Sequence, residues 1–394
     1  MHMDEKINTQ RRIVYVPRRS RIRVYKIAKA VKLCSDFKLI LVCERYWYDK
    51  DLFQDIFDEV HTYNNLRIHN QGWFKKILRK YPLKIGFKKM LNLIHQSKPD
   101  IIHVFCEPYD HIKYILENVN VPVIMSDGAD FSGISEGIEN LDNKTRLEEK
   151  FCFENVAGLV YKGPKSVINF YRNYKYKIIA REMTWFDHSD NDLFVPLDKE
   201  MLKNNEEIHL VYSGVISNDP NMAYCYYLPL AISLTNQKIH FHIYPNPYQY
   251  KYAPEYHKMD AESEYFHFHK PLIMSELIIK ISEYDWGLWI HSEKVSKRTQ
   301  PSKMRTGMVN KIFTYLEAGL PILVSSSRTF GSDFIESNGI GKKIGDQDWN
   351  NIGRILRTLD YSEIKRNVGL KRNEYSLSAN GGKLVDFYNN IFLL

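Results

Sequence analysis

Hydrophobic residues in the first half of the chain recur in two alternating patterns. Short apolar runs bounded by turn signals predict strands, and longer stretches with an apolar residue every three or four positions predict helices. Strands are predicted at 12–17, 38–42, 101–105, 122–125 and 158–161, and helices at 24–33 and 112–117. Because strands that are apolar throughout and alternate with helices are typical of parallel sheets, this half predicts a parallel sheet covered by helices.

The pattern stops at residues 182–207, a polar and acidic stretch that contains Pro196 and resembles an interdomain linker. It then restarts, with predicted strands at 208–212, 238–244, 286–290 and 322–324 and helices at 274–282 and 311–318. Two successive parallel α/β units are therefore predicted. A cleft between such units is a usual place for a small-molecule site.

Composition agrees with two domains. The 394 residues are 44% hydrophobic, enough for two packed cores. No run of 18 apolar residues is present, and the first residues lack the apolar region of a secretory signal, so we expect a protein that is neither integral nor exported. The cysteines are far apart and form no Cys/His cluster, which predicts reduced thiols, no disulfide and no metal site. They are Cys34, Cys43, Cys106, Cys152 and Cys225.

The net charge of +8 is concentrated in one stretch. Residues 73–98 contain eight Lys or Arg and no acid, and their apolar positions predict two amphipathic helices. One interpretation is a pair of ordinary helices with a solvated basic face. The other is contact with an anionic membrane surface through aromatic and basic side chains. The residues predicted to face the membrane are Trp73, Phe74, Lys75, Lys76, Arg79 and Lys80. No nucleic-acid-binding motif accompanies these charges, so nucleic acid is not an expected partner.

The predicted helix 311–318 is short and is bounded at both ends. Asn310 is expected to cap its start, Gly319 to form a left-handed cap at its end, and Pro321 to prevent its continuation. Its N-terminus should lie at the carboxyl edge of the sheet, where unpaired N–H groups favour an anion. The preceding segment 291–309 is basic and predicts a diphosphate site, although a solvated surface loop would have the same composition.

Several of these segments together resemble a known family. NKIFTYLEAGLPILVSSS at 310–327, with 335–341, IHLVYSG at 208–214 and 283–289, resembles the donor-binding half of GT-B glycosyltransferases related to family 4. KPDIIHVFCEPYD at 98–110 and the segment 120–130 resemble the acceptor half. The resemblance implies an α/β GT-B fold, in which two Rossmann-like parallel-sheet domains face each other across a cleft.

The resemblance also implies the division of the chain and its activity. Residues 1–200 would bind the acceptor, 201–380 would bind the nucleotide sugar, and 381–394 would form a helix that packs back on the N-terminal domain. A hexosyltransferase-like enzyme is implied, which transfers sugar from a UDP- or GDP-linked donor to a glycan or lipid-linked acceptor in bacterial cell-surface polysaccharide assembly. It would be retaining, would need no metal or cofactor, and would be cytoplasmic and peripheral at the inner face of the membrane.

Site residues follow from the matching positions. Lys311 would neutralise the departing diphosphate, and in an inverting reaction Asp127 or Asp130 would act as the base. The residues expected to bind the donor are Gly214, Lys303, Arg305, Asn310, Lys311, Thr314 and Glu317. Thr306 and Thr314 stand where related transferases carry glutamates. Two alternatives therefore remain: a catalytically inactive GT-B subunit that binds a partner transferase or a glycan, and a nucleotide-sugar 2-epimerase.

Overall fold

The computed structural model describes residues 10–18, 21–64, 81–106, 108–127, 131–197, 207–222, 225–291 and 301–393. The chain divides into two compact units. The first takes the chain up to Trp185, apart from Ile134–Glu136, together with the residues from Asn380 onward, and the second takes the remainder. The predicted linker begins inside the first unit, because Arg181–Thr184 is a strand of its sheet.

The first unit contains a seven-stranded parallel sheet in the order β3-β2-β1-β4-β5-β6-β7. Its strands are β1 (Arg12–Val16), β2 (Lys38–Glu44), β3 (Glu59–Tyr63), β4 (Ile101–Phe105), β5 (Val123–Ser126), β6 (Gly158–Tyr161) and β7 (Arg181–Thr184). The central strands are buried almost throughout, as continuous apolar runs predict, whereas the two edge strands β3 and β7 are mostly partly buried or exposed.

The second unit contains a six-stranded parallel sheet in the order β10-β9-β8-β11-β12-β13. Its strands are β8 (His209–Ser213), β9 (His240–Tyr244), β10 (Phe266–Phe268), β11 (Trp286–Trp289), β12 (Ile322–Ser325) and β13 (Gly341–Ile344). Counted within the unit, this is the 3-2-1-4-5-6 order of dinucleotide-binding domains. The strand order reverses between β8 and β11, and ligands of such sheets bind outside the carboxyl ends of the strands at that point.

Helices connect the strands of both sheets. In chain order they are α1 (Arg21–Cys34), α2 (Lys50–Phe53), α3 (Tyr81–Gln96), α4 (Asp110–Leu116), α5 (Ser132–Glu136), α6 (Asn143–Asn155), α7 (Ser166–Asn173), α8 (Leu228–Thr235), α9 (Pro247–Lys251), α10 (Pro254–Glu262), α11 (Met274–Ile281), α12 (Pro301–Thr306), α13 (Asn310–Glu317), α14 (Thr329–Ser337), α15 (Ile352–Thr358), α16 (Tyr361–Glu374) and α17 (Leu377–Phe392). No helix within the described ranges combines the length and hydrophobicity needed to span a bilayer.

Two apolar layers cover the second sheet, because alternate residues of each strand point to opposite faces. Leu210, Phe241 and Leu288 belong to one layer, together with residues of α8. Val211 and Val324 belong to the other, together with α11 and α13. The layer that contains α13 holds this helix against the strands whose carboxyl ends form the candidate site.

The C-terminal part of α17 belongs to the first unit. The Tyr388 hydroxyl is hydrogen-bonded to His103 Nδ1 and lies 3.1 Å from the Tyr15 hydroxyl. A Cβ on Gly381 would lie 2.5 Å from the carbonyl oxygen of Ala30 in α1, so only glycine permits this close approach. His103, which is fully buried, also bonds Ser126 Oγ at 2.6 Å, and it is a satisfied core histidine, as expected of a histidine inside an apolar run.

Candidate functional site

The candidate site lies where the strand order of the second sheet reverses. Gly214 directly follows β8, His291 closely follows β11, and α13 begins at Asn310. Beneath this point lies the buried Tyr315 of α13, whose hydroxyl accepts the Ser213 N–H at 3.3 Å and donates to the Leu288 carbonyl at 2.8 Å. The tyrosine thus ties the helix to both strands that border the reversal.

The same tyrosine also explains why β11 has a glycine at position 287. A Cβ on Gly287 would lie 2.5 Å from the ring of Tyr315, closer than real Cβ contacts come. Gly287 belongs to segment 283–289 and Tyr315 to the segment that begins at Asn310, two of the segments that carry the family resemblance. The two segments are therefore in direct contact in the structure.

The turn after β8 places backbone beside a lysine. Gly214 has φ of +138°, and a Cβ there would lie 3.2 Å from both Lys311 Nζ and Tyr212 Oη. Its N–H donates to the Tyr244 carbonyl at 3.0 Å, which fixes the turn against β9. The structure therefore brings together two of the predicted donor-binding residues, Gly214 and Lys311, which are far apart in sequence.

Lys311 is partly buried at the start of α13. Its Nζ lies 5.0 Å from the centroid of the Tyr212 ring, and it forms no ion pair with any carboxylate of the described residues. Burial, and then the nearby Arg328 guanidinium, lower the pKa of Lys311 to about 8. A bound anion would stabilise the charged form of this lysine and would restore the ordinary pKa of its ammonium group.

Arg328 and His291 were not singled out from the sequence. Both are buried, and Arg328 Nε donates to His291 Nε2. The His291 backbone N–H donates to Ser325 Oγ at 2.8 Å, which fixes the segment after β11 to the end of β12. Burial, and then the charges of Arg328 and Lys311, hold the pKa of His291 well below its usual range, so the imidazole is neutral and accepts from the arginine. The sequence signal for Arg328 was a basic residue just after a strand.

The start of α13 differs from the prediction, whereas its end agrees with it. Asn310 is the first residue of the helix, and the capping position is Val309, which has extended backbone and no side-chain capping bond. The prediction that Asn310 caps the helix is therefore wrong. At the other end Gly319 has φ of +71°, and the N–H groups of Gly319 and Leu320 donate to Leu316 and Tyr315, which confirms the left-handed glycine cap.

Two predicted donor-binding residues have partners within the protein. Thr314 Oγ1 donates to the Asn310 carbonyl at 3.4 Å, one turn back in its own helix. Glu317 is fully buried and its Oε1 accepts the Asp190 N–H at 2.7 Å, while its carbonyl accepts the Val195 N–H. The structure thus places Glu317 against residues 190–195 and does not bring it together with Lys311.

Lys303 and Arg305 lie on the helix α12, where a basic loop was expected. The Arg305 side chain is exposed, and its carbonyl accepts the Thr329 hydroxyl at 3.0 Å, which joins α12 to the start of α14. The two residues therefore lie on the segment that leads into the site. Residues 292–300, with three further basic side chains, lie outside the described residues.

In the first unit Asp127 directly follows β5 and is buried. Its Oδ1 lies 2.6 Å from an Nη of Arg23, and its Oδ2 accepts the Lys162 N–H at 3.0 Å. Both carboxylate oxygens are therefore engaged. Asp130 lies outside the described residues, as do the proposed membrane-facing Trp73, Phe74, Lys75, Lys76, Arg79 and Lys80.

Comparisons with solved structures define the fold class. HepE of Anabaena in complex with UDP and glucose has a TM-score of 0.66 and 12% identity, covering 96% of this chain and 99% of that one. MurG of Acinetobacter baumannii has a TM-score of 0.51 and 9% identity, covering 96% and 99%. A UDP-N-acetylglucosamine 2-epimerase has a TM-score of 0.56 and 12% identity, covering 97% of each chain. The chain therefore has the GT-B fold, as the resemblance implied.

The family comparison concerns the unit that carries the candidate site. Residues 232–375 match the C-terminal domain of the glucosyltransferase 3-like family. Comparison with curated proteins finds no match to this chain. The recognition of a GT-B glycosyltransferase is thus supported, whereas the assignment to family 4 stays a prediction.

Proposed function

We propose that the chain is a glycosyltransferase that transfers a hexose from a UDP-linked donor to a glycan or lipid-linked acceptor in the assembly of a bacterial cell-surface polysaccharide. One observation carries the proposal: a partly buried lysine without an ion pair to any described carboxylate lies against a glycine turn and near a buried arginine, where the second sheet reverses its strand order. The likeness to a protein that binds UDP favours uridine over guanosine.

Lys311 and Arg328 would supply the charge that the reaction needs. As the bond from the sugar to the diphosphate breaks, negative charge grows on the leaving phosphate, and cations held in place lower the energy of that state. Phosphate also raises the pKa of Lys311 toward its ordinary value, so the lysine is fully charged when the donor is bound. Gly214 leaves space for the donor beside this amine because it lacks a Cβ.

We propose retention at the anomeric carbon, without a metal. A general base must reach the acceptor hydroxyl, yet both oxygens of Asp127 are engaged by Arg23 and the Lys162 N–H. In a retaining reaction the leaving phosphate can itself take the acceptor proton, so no carboxylate base is required. Asp127 then has a structural role, and an inverting reaction would need Asp127 or Asp130 as its base.

The decisive experiment is a binding screen with the full chain. UDP, GDP, CMP and their sugars are added to wild type, Lys311→Met and Lys365→Met, and the melting temperature is measured. Burial, and then Arg372, lower the pKa of Lys365 in the same unit to about 8 as well, but its Nζ donates to the Gly319 carbonyl, so it is a matched control. UDP should stabilise wild type and Lys365→Met, and Lys311→Met should bind UDP about 10- to 100-fold more weakly.

The other outcomes separate the alternatives. Failure of every nucleotide to stabilise the wild type overturns the proposal and leaves an inactive subunit. Conversion of a UDP sugar to its 2-epimer without an acceptor identifies an epimerase. Transfer with an unchanged anomeric configuration, and the same rate in the presence of a chelator, supports the retaining, metal-independent reaction.

Membrane contact is part of the same proposal. The stretch 73–80 supplies four basic and two aromatic side chains beside each other in sequence, a composition that suits an anionic lipid surface. Wild type should sediment with vesicles that contain phosphatidylserine at low salt, and a variant that combines Lys75→Glu, Lys76→Glu, Arg79→Glu and Lys80→Glu should not. Equal sedimentation of the two would remove the peripheral assignment and leave the transferase assignment intact.

A further inference from the structure

Five histidines occupy one face of the second sheet. His209 is on β8, His240 and His242 are on β9, and His267 and His269 are on or just after β10. Alternation along parallel strands brings them to the same face, and three hydrogen bonds connect their rings: His209 Nδ1 to His242 Nε2 at 3.0 Å, His240 Nδ1 to His267 Nε2 at 2.9 Å, and His242 Nδ1 to His269 Nε2 at 2.9 Å.

Each of these bonds joins a Nδ1 atom to a Nε2 atom. A neutral imidazole carries one N–H, so a ring that donates from Nδ1 keeps a lone pair on Nε2. When every ring donates from Nδ1, His209 and His240 both present a Nε2 lone pair.

An acidic side chain lies near both of these histidines. The Glu207 carboxylate, just before β8, has its Oε2 3.6 Å from His240 Nε2, too far for a hydrogen bond. His240 Nε2 is buried and has no hydrogen-bond partner among the described residues. One ligand atom from each of Glu207, His209 and His240 lies within 4.8 Å of the others, and the structure offers no other such group of three among the residues that it describes.

We propose that Glu207, His209 and His240 bind a divalent transition-metal ion, for which Zn²⁺ is the best match. Two imidazoles and a carboxylate are ligands that zinc prefers, and two ligands of a tetrahedral zinc lie about 3.3 Å apart, close to the 3.6 Å between Glu207 Oε2 and His240 Nε2. A water molecule would complete the four ligands.

The surrounding histidines strengthen the assignment. Metal-bound histidines usually donate their other N–H to a fixed partner, which orients the ring. His242 would accept from His209, and His267 from His240, so both ligands have such a partner. The two ligand rings now stack with centroids 4.4 Å apart and must tilt toward a shared ion. Glu207 is 58% exposed and can turn with them.

The position of the site indicates a structural role. His209 and His240 begin their strands, at the amino edge of the sheet, whereas Gly214 and Lys311 lie at the carboxyl edge. The ion would therefore join the segment that enters β8 to the neighbouring strand β9, separately from the proposed donor site. This inference is independent of the proposed transferase activity.

Calorimetric titration of the chelator-treated full chain with ZnSO₄ tests the site. Wild type should bind one Zn²⁺ and melt at a higher temperature with it, and Glu207→Gln and His240→Ala should bind about 10- to 100-fold more weakly. Since Glu207 is exposed, its variant is expected to fold. His61→Ala is the control, because His61 and Glu59 form a similar pair at 3.2 Å on β3.

Any of three results would overturn the proposal. One is a wild-type chain that binds no Zn²⁺ at micromolar concentration. Another is wild-type affinity in both Glu207→Gln and His240→Ala, which would place any bound zinc elsewhere. His61→Ala should bind as wild type does, and a loss in that variant alone would also assign the ion to a different place.

Discussion

A buried or partly buried cation lies at the carboxyl edge of each sheet, but only the cation of the first sheet is paired with a carboxylate of the described residues. In the first unit, Arg23 and Asp127 form a buried ion pair at 2.6 Å, so the charge is compensated within the protein. In the second unit, Lys311 lies near Arg328 and pairs with none of the described carboxylates. An uncompensated cation destabilises a fold, and its presence at a strand end is typical of a site that binds an external anion. The charge at the first edge is therefore neutralised within the protein, and the second edge is where we propose that the donor binds.

The largest effect is expected from a substitution that breaks the ion pair of Arg23 and Asp127. Asp127→Asn leaves the Arg23 guanidinium buried without its carboxylate, and we expect the free energy of unfolding to fall by about 3 kcal/mol. Calorimetric unfolding of the full chain measures this. Asp127→Leu combined with Arg23→Met should recover most of the loss, because it removes both charges. A variant Asp127→Asn of normal stability that no longer transfers sugar would instead identify Asp127 as a catalytic base.

The second prediction concerns the uncompensated lysine. Lys311→Met removes a charge that burial disfavours, so the ligand-free protein should become more stable by about 1–2 kcal/mol, even as UDP binding is lost. Lys365→Met removes the same charge but leaves the Gly319 carbonyl without its donor, so it should stabilise less and should bind UDP normally. Lys311→Met with reduced stability would mean that the lysine is compensated within the protein.

The sequence predicted the central strands of both sheets, because their apolar runs are long enough to identify a buried strand. The edge strands β3, β7 and β13 were missed, since edge positions are partly exposed and their sequences mix polar and apolar residues. The glycine cap of α13 was predicted because Gly319 and Pro321 act locally.

The candidate site could be predicted only in part. Gly214 and Lys311 belong to segments with recognisable patterns, and the structure places the two residues side by side. Arg328 and the histidine face depend on strand order: β12 lies beside β11, and β8, β9 and β10 are neighbours. Side chains on adjacent parallel strands are separated by a whole crossover in the sequence, so spacing gave no signal. For the same reason, no third metal ligand stands close in the sequence to His267 and His269, although the neighbouring strands carry further histidines on the same face.

The third prediction concerns the pH dependence of UDP binding. Lys311 is an ammonium below its pKa of about 8 and loses its proton above it. A terminal phosphate, with its second pKa near 6, is already dianionic from pH 7 upward. UDP affinity should therefore fall about tenfold between pH 7 and pH 9 in wild type and remain nearly constant in Lys311→Met. Isothermal titration measures both profiles, and a flat wild-type profile would exclude Lys311 as the phosphate ligand.

The smallest predicted effect tests the turn beside the lysine. In Gly214→Ala the new Cβ meets Lys311 Nζ and Tyr212 Oη at 3.2 Å, with φ of +138°, so the backbone is strained and the amine must move. We expect a loss of about 1 kcal/mol in the free energy of unfolding and a UDP affinity several-fold weaker. Gly382→Ala is the matched control, because it lies inside α17 with no atom within 4 Å of the new Cβ and should be slightly stabilising. If Gly214→Ala keeps full UDP affinity but loses stability, the turn has only a structural role and the donor binds elsewhere along the carboxyl edge. If the variant loses affinity without losing stability, the Lys311 amine and the turn bind the phosphate together.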